Sequence, residues 1–322
     1  MKYCIVGGAG FIGSHFTDRL LAEPTTTGVT LYDNFTSGRE WHFEHHLADH
    51  RLAVVRGEVA DLDALCAATV GHDTMIHLAS NPDIAKAMTD PRVDFDEGTA
   101  LTFHVVEAAR ITGVGEVLYA SGSGVYGDLG DVEAQEDHGP MTPTSTYGAS
   151  KLAGEALFSS YAAMFGLRAS AFRFGNVVGP RQTHGVGFDF VRRLRRDPTT
   201  LDILGDGRQS KSYIYVDDVV SAVLMMSRSR AADFEVFNVA TGDYITVTEI
   251  AELATDVLGL EPGSTAFKYA GGDRGWKGDV PIVRLSTERV RNRGWQCERN
   301  CEEALRASML SMINDDELGR LT

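Results

Sequence analysis

A sheet of parallel strands covered by helices, followed by a smaller mixed domain, is the fold class predicted by this 322-residue sequence. Short apolar runs alternate with amphipathic stretches through the first half, glycines are regularly spaced after the first run, and the alternation loosens beyond residue 174. Hydrophobic residues make up 43% and charged residues 23%, the ordinary mix of a soluble chain with ample core.

Strands are expected at Tyr3–Val6, Val29–Tyr32, Leu52–Val55, Thr74–His77, Val117–Ala120 and Arg168–Phe172. Helices are expected over 11–22, 61–69, 95–112 and 146–165. Uninterrupted apolar strands between helices belong to βαβ units, whose parallel sheet is buried on both faces. Further on, helical periodicity recurs over 186–197, 217–227, 247–258 and 299–313, with short strands at Ser212–Tyr215 and Glu235–Asn238. The domains divide at 1–173 and 174–322, with room for segments of the second to return to the first. Loops rich in Gly, Pro and Thr near 126–146 and 262–281 are candidates to face a ligand.

Charge narrows the partners. The formal net charge is -15 and only 6 of 30 basic residues are lysine, which disfavours nucleic acid and anionic membrane. Arg192–Arg196 is the densest basic run, but on a helix it spreads around the surface. No stretch offers 18 apolar residues in a row, and glycines interrupt the apolar start, so a cytoplasmic protein is expected. Cys4, Cys66, Cys297 and Cys301 lack the spacing of a disulfide framework or zinc site. His45-His46 and His184 have no carboxylate or cysteine nearby in sequence at ligand spacing, so no metal is expected.

Lys2-Tyr-Cys-Ile-Val-Gly7-Gly-Ala-Gly10-Phe11-Ile12-Gly13 reads as strand, glycine loop and helix start. Glycine allows the tight turn and brings backbone N–H groups to a pyrophosphate, which the helix N-terminus also attracts. Asp33 closes the second strand 20 residues after Gly13, where a carboxylate accepts from adenosine ribose hydroxyls. The pattern predicts a Rossmann-type dinucleotide domain, and Asp33 favours NAD over NADP. Tyr147-Gly-Ala-Ser-Lys151 sets a phenol and an ammonium four residues apart on one helix face. Lysine charge beside the phenol is expected to favour phenolate and to make Tyr147 a general base.

Together these two motifs resemble the extended short-chain dehydrogenase/reductase family, and within it the UDP-glucose 4-epimerase-like nucleotide-sugar enzymes. Supporting runs are Asp33-Asn34-Phe-Thr-Ser37-Gly38-Arg39, Ile76-His-Leu78-Ala79, Val125-Tyr-Gly127, Tyr147 through Glu155, Arg173-Phe-Gly-Asn176, Val178 through Arg181, Leu204 through Gly207, Tyr213 through Asp218 and Gly275 through Asp279. The resemblance implies that Asn34, Ser37, Gly38, Glu58, Val59, Leu78 and Ala79 join the glycine loop around NAD. It assigns Asn176, Lys211, Arg274 and Asp279 to a nucleotide-diphosphate sugar, a UDP-sugar foremost, and implies a homodimer packed through helices 95–112 and 146–165.

The implied reaction begins with Tyr147 taking a hydroxyl proton as the C4 hydride passes to NAD, leaving a 4-keto sugar. An epimerase returns the hydride to the other face. Related dehydratases and decarboxylases usually carry a glutamate just before Val-Tyr-Gly, whereas here Gly124 stands there. The serine or threonine usual three residues before the valine is Gly122, so the hydroxyl is expected from Ser123, or else from Ser121, a water or a substrate group. Other departures are Glu58 for an aspartate, Gly98 for an asparagine, and Phe174-Gly175 for a tyrosine and phenylalanine, which widens the sugar site. Lys211 replaces an arginine, and Arg274 is offset by two positions. The alternatives are a 4-ketoreductase, dehydratase or decarboxylase of this family, and a non-catalytic NAD-binding regulator.

Overall fold

The structure, a computed structural model, describes residues 1–81 and 83–321. Its main sheet comprises β1 (Lys2–Val6), β2 (Gly28–Asp33), β3 (Leu52–Arg56), β4 (Thr74–His77), β5 (Glu116–Gly122), β6 (Ala169–Phe174) and β7 (Phe234–Val239), in the order β7-β6-β5-β4-β1-β2-β3. Four adjacent pairs, β1 with β2 and β4, β2 with β3, and β4 with β5, run parallel. The order reverses at β1 and β4, the switch point where open sheets of this kind take their ligands. Between strands lie α1 (Phe11–Leu21), α2 (Leu62–Thr69), α3 (Leu101–Thr112) and α4 (Thr146–Phe165). Cys4, Val6, Tyr32, Leu65, Val105 and Phe158 are among the residues that close the core of this layered unit.

The chain forms two compact units. The first takes Met1–Val125, Ser145–Arg173 and Val223–Phe237, and the second takes Tyr126–Thr144, Phe174–Ala222 and Asn238–Thr322. Tyr126–Thr144, before residue 173, belongs to the second unit, and Val223–Phe237, after it, supplies most of β7 to the first sheet. Helices of the later chain are α5 (Val186–Arg196), α6 (Val216–Arg228), α7 (Val247–Val257), α8 (Glu288–Asn292) and α9 (Cys301–Glu317). In the second unit, Asn176–Val178 pairs in parallel with Tyr213–Tyr215, and Thr200–Ile203 with Ala266–Tyr269. Its core gathers Phe190, Leu201, Ile250, Leu305 and Met309.

The expected helix over 95–112 is two structures. Phe95–Ala100 is a wider π-helical turn, and regular α3 begins only at Leu101. A Cβ on Gly98 would lie 2.6 Å from Ser150 Oγ of α4, so the glycine lets the two segments close together. All four cysteines are free thiols, and no described helix is long and apolar enough to cross a membrane.

One charged pair is buried in the first unit. Arg173 on β6 grips Glu155 on α4 through Nε (2.9 Å) and Nη2 (2.6 Å), and both side chains are about as inaccessible as the apolar core. Ser121 Oγ donates to the same carboxylate at 2.6 Å, tying β5 to the pair. Removing one charge strands the other in a dry interior. Arg173→Met should cost about 3–5 kcal/mol in urea unfolding, and Arg173→Met/Glu155→Leu should recover most of it.

Candidate active site

In the first unit, β1 delivers the chain to Gly7, whose φ is +83°. A Cβ on Gly7 would lie 2.7 Å from Ala79 N, and one on Gly13 would lie 2.7 Å from Gly7 O, so neither position tolerates a side chain. The N–H groups of Leu78 and Ala79 both donate to Val6 O, which fixes the end of β4 against this loop. Gly10 caps α1 without a side-chain bond, leaving the N-terminal turn at Phe11, Ile12 and Gly13 open to an anion. At the end of β2, Asp33 accepts from Ala9 N (2.9 Å) and Phe35 N (2.8 Å). Burial pushes its carboxyl up, and those two backbone bonds oppose the shift.

The chain after Asp33 folds back on the loop. Arg39 N and His42 Nδ1 both bond to Ala9 O, and a Cβ on Gly38 would lie 2.7 Å from Ala9 Cβ; Ser37 beside it is exposed. Asn34 donates to Glu58 Oε2 at 3.0 Å, with Val59 buried next in chain. The residues expected around NAD are thus gathered at the strand ends of one sheet. Glycine cradle, uncapped helix start and terminal carboxylate fit a dinucleotide.

Ser145 caps α4 by accepting from Gly148 N, and the first turns of that helix carry Tyr147 and Lys151. Lys151 Nζ donates to Ala120 O at 2.9 Å and lies 5.4 Å from the Tyr147 ring centre. Burial brings the lysine down to about 8, with Asp94 opposing. Burial also raises the Tyr147 phenol; a hydrogen bond with the Ser80 side chain holds it down, and Asp94 pushes it up. Desolvation is thus the largest influence on both groups of this pair: it raises the phenol and holds the lysine down.

Ser121 is corrected too. It is 4% exposed and its hydroxyl is spent on Glu155, inside the core. Ser123 opens a short 3-10 turn, Ser123–Val125, and is half-buried. A Cβ on Gly122 would meet nothing within 4 Å, and one on Gly124 would reach Gly148 Cα at 3.5 Å. Sequence reasoning missed the buried link from Asn81 Nδ2 to Asp94 (2.9 Å) and from Thr146 Oγ1 to the same carboxyl (2.6 Å). Nothing in spacing signals it, because the three residues meet only through the fold.

In the second unit, Lys211 Nζ pairs with Asp279 Oδ1 at 2.6 Å. Arg274 donates to Asp279 O (2.8 Å) and pairs with Asp128 (2.6 Å), and Gly275 N donates to Asp279 Oδ2 (3.1 Å). Three of the four residues expected at the sugar nucleotide therefore form one cluster despite the offset of Arg274. Asn176 donates to Ser212 O at 3.2 Å. A Cβ on Gly175 would press on Ser212 O at 3.2 Å, so its missing side chain opens less room than expected.

The histidine reading also changes. Asp18 of α1 brings one carboxylate oxygen to His45 Nε2 (2.9 Å) and His46 Nε2 (2.8 Å), a three-residue set at ligand spacing on a partly exposed surface.

Residues 3–240 match the NAD dependent epimerase/dehydratase family. The chain belongs to that family. It is 33% identical to the UDP-glucose 4-epimerase of Mycolicibacterium smegmatis, over 92% of this chain and 93% of that one. Among solved structures it is similar to a UDP-galactose 4-epimerase (TM-score 0.86, 35% identity, 98% and 99% of the two chains). It is likewise similar to a double mutant of the dTDP-glucose 4,6-dehydratase from Streptomyces venezuelae, solved with NAD bound (TM-score 0.90, 26% identity, 100% of both chains). This member of the family is thus an NAD-dependent, nucleotide-sugar-modifying type of chain, with likenesses on both the epimerase and dehydratase sides.

Lysine titration is measurable without substrate. Lys151 falls from its ordinary 10.5 to about 8 on folding, so between those values the unfolded chain holds a proton that the folded chain has released. Stability from this group therefore rises with pH across that window. Urea midpoints at pH 8 and 9.5 should show that rise, and Lys151→Met should remove it.

Proposed function

We propose that the protein is an NAD-dependent nucleotide-diphosphate-sugar 4-epimerase of the UDP-glucose/UDP-galactose type. The carrying observation is the Tyr147–Lys151 pair on α4 with Gly124, and no ionisable group, just before Val125-Tyr126-Gly127. A base for one hydroxyl proton is all that a 4-epimerase asks of the protein, whereas a 4,6-dehydratase also needs a group to move the C5 proton.

When bound, NAD accepts a hydride from the sugar and returns it. Tyr147 takes the C4 hydroxyl proton as the carbonyl forms and gives it back after the keto sugar has turned over. Lys151, protonated below about pH 8, supplies positive charge beside the phenol and a donor for the nicotinamide ribose. Ser123, half-buried at the start of the 3-10 turn, is assigned to the sugar. In the second unit we assign Lys211 and Arg274 to the diphosphate, Asp279 to the nucleotide ribose and Asn176 to the sugar nucleotide.

The test is a product assay over UDP-, dTDP-, GDP- and CDP-sugars with absorbance followed at 340 nm. Inversion at C4 without net NADH supports the reading; stoichiometric NADH or a keto-deoxy product overturns it in favour of a reductase or dehydratase. Protein that carries no NAD and converts no sugar points to the non-catalytic role. Tyr147→Phe should lower turnover by about 10²–10⁴ while NAD still binds by fluorescence titration.

The same reading includes a homodimer. Phe95, Phe103 and Ile111 along the 95–112 segment, and Met164 and Phe165 at the end of α4, are large apolar side chains left exposed. Light scattering should give twice the 35.0 kDa chain mass, and Phe103→Glu should shift it to monomer.

A further inference from the structure

We propose that Asp18, His45 and His46 form a binding site for one divalent transition ion, zinc foremost, which fastens the segment after β2 to α1. The site is independent of the sugar reaction.

Two neighbouring histidines do not ordinarily meet on one atom. Glu44–His46 is a 3-10 turn, in which successive side chains point about 120° apart. Here both rings swing to the same side. Their centres are 4.1 Å apart with the planes at 43°, and their Nε2 atoms lie 2.9 and 2.8 Å from the same Asp18 Oδ1. A single hydrogen bond is enough to tie the turn to α1; the second imidazole brings another nitrogen to the same point. The three ligand atoms all lie within 4.8 Å of one another, and among the described residues no other three histidine, cysteine or carboxylate groups converge in this way.

Distance and exposure suit an ion. Zinc takes imidazole nitrogen at about 2.0–2.1 Å and carboxylate oxygen at about 2.0–2.2 Å, which sets tetrahedral ligand atoms about 3.3 Å apart. The two N···O separations need to open by only about 0.5 Å, within reach of side-chain rotation. The His45, His46 and Asp18 side chains are 49%, 22% and 31% exposed, so a hydrated ion reaches them from solvent and keeps water in its remaining position. Each ring binds neutral through Nε2, with its proton on Nδ1. Two imidazoles and one carboxylate select a borderline ion, whereas magnesium and calcium call for oxygen ligands.

The ion acts as a clamp. Between Asp33 and this turn the chain crosses the glycine loop, where Arg39 N and His42 Nδ1 bond to Ala9 O. Asp18 stands about two turns into α1, the helix that begins at that loop. Coordination at the far end holds the crossing segment against the helix.

The experiment is a calorimetric titration of zinc chloride into the tag-free, chelator-stripped full chain with NAD bound. The wild type should take one zinc per chain, and excess magnesium should not displace it. His45→Gln, His46→Gln and Asp18→Asn should each weaken zinc about tenfold or more, while unchanged NAD binding shows that the variants are folded. Zinc should also slow amide hydrogen exchange over 40–47 in the wild type and not in His45→Gln/His46→Gln. A wild type that takes no zinc at micromolar concentration overturns the proposal, and so does a double variant that binds zinc as tightly as the wild type. In either case the three side chains are a hydrogen-bonded surface tie and nothing more.

Discussion

The bidentate contact of Arg173 with Glu155 sets where α4 can lie. A buried ion pair is tolerated only when its charges meet at close range and its remaining lone pairs are used. Here the guanidinium comes from β6, the carboxylate from the third turn of α4, and Ser121 of β5 supplies the extra donor. Two strands and one helix are thereby locked at one level. Lys151 and Tyr147 stand about one and two turns earlier on that helix, so their position over the strand ends follows from the pair. Lys151 adds a second tie to β5 through Ala120 O.

Desolvation then governs the chemistry. The same burial that orders these side chains raises the phenol and lowers the lysine, which drives the two ionisations apart, the lysine losing its proton first. A base built this way depends on donors aimed at its oxygen, since bulk water cannot supply them. The buried Asp94 link keeps the neighbours of Tyr147 from drifting, at the electrostatic cost of a carboxyl near the phenol.

Much of the first unit was legible because most of its strands, the edge strand β3 apart, are buried on both faces and read as unbroken apolar runs. Thr74–His77 coincides with β4, and the other five expected strands lie within two residues of the observed ends. The glycine loop was legible for a similar reason, since backbone contact at Gly7 and Gly13 forbids other residues. Contacts made only by the fold were not. Ser121 was expected as an alternative source of the hydroxyl at the sugar, yet its side chain is turned toward Glu155. Asp18 is far from His45 in sequence, and the π-helical turn at Phe95–Ala100 depends on a glycine meeting Ser150 across two helices. The exchange of Tyr126–Thr144 and Val223–Phe237 between units left no mark in composition.

Lys211 and Asp279 hold each other at 2.6 Å, so each already has a partner of opposite charge. A lone phosphate offers the lysine an anion but leaves the aspartate bereft of its cation. A bare nucleoside offers the aspartate hydroxyls but gives the lysine nothing. On the proposed assignment of the lysine to the diphosphate and the aspartate to the ribose, only a molecule carrying both groups in one piece offsets the separation of the pair, and the salt bridge then acts as a two-key lock against inorganic anions.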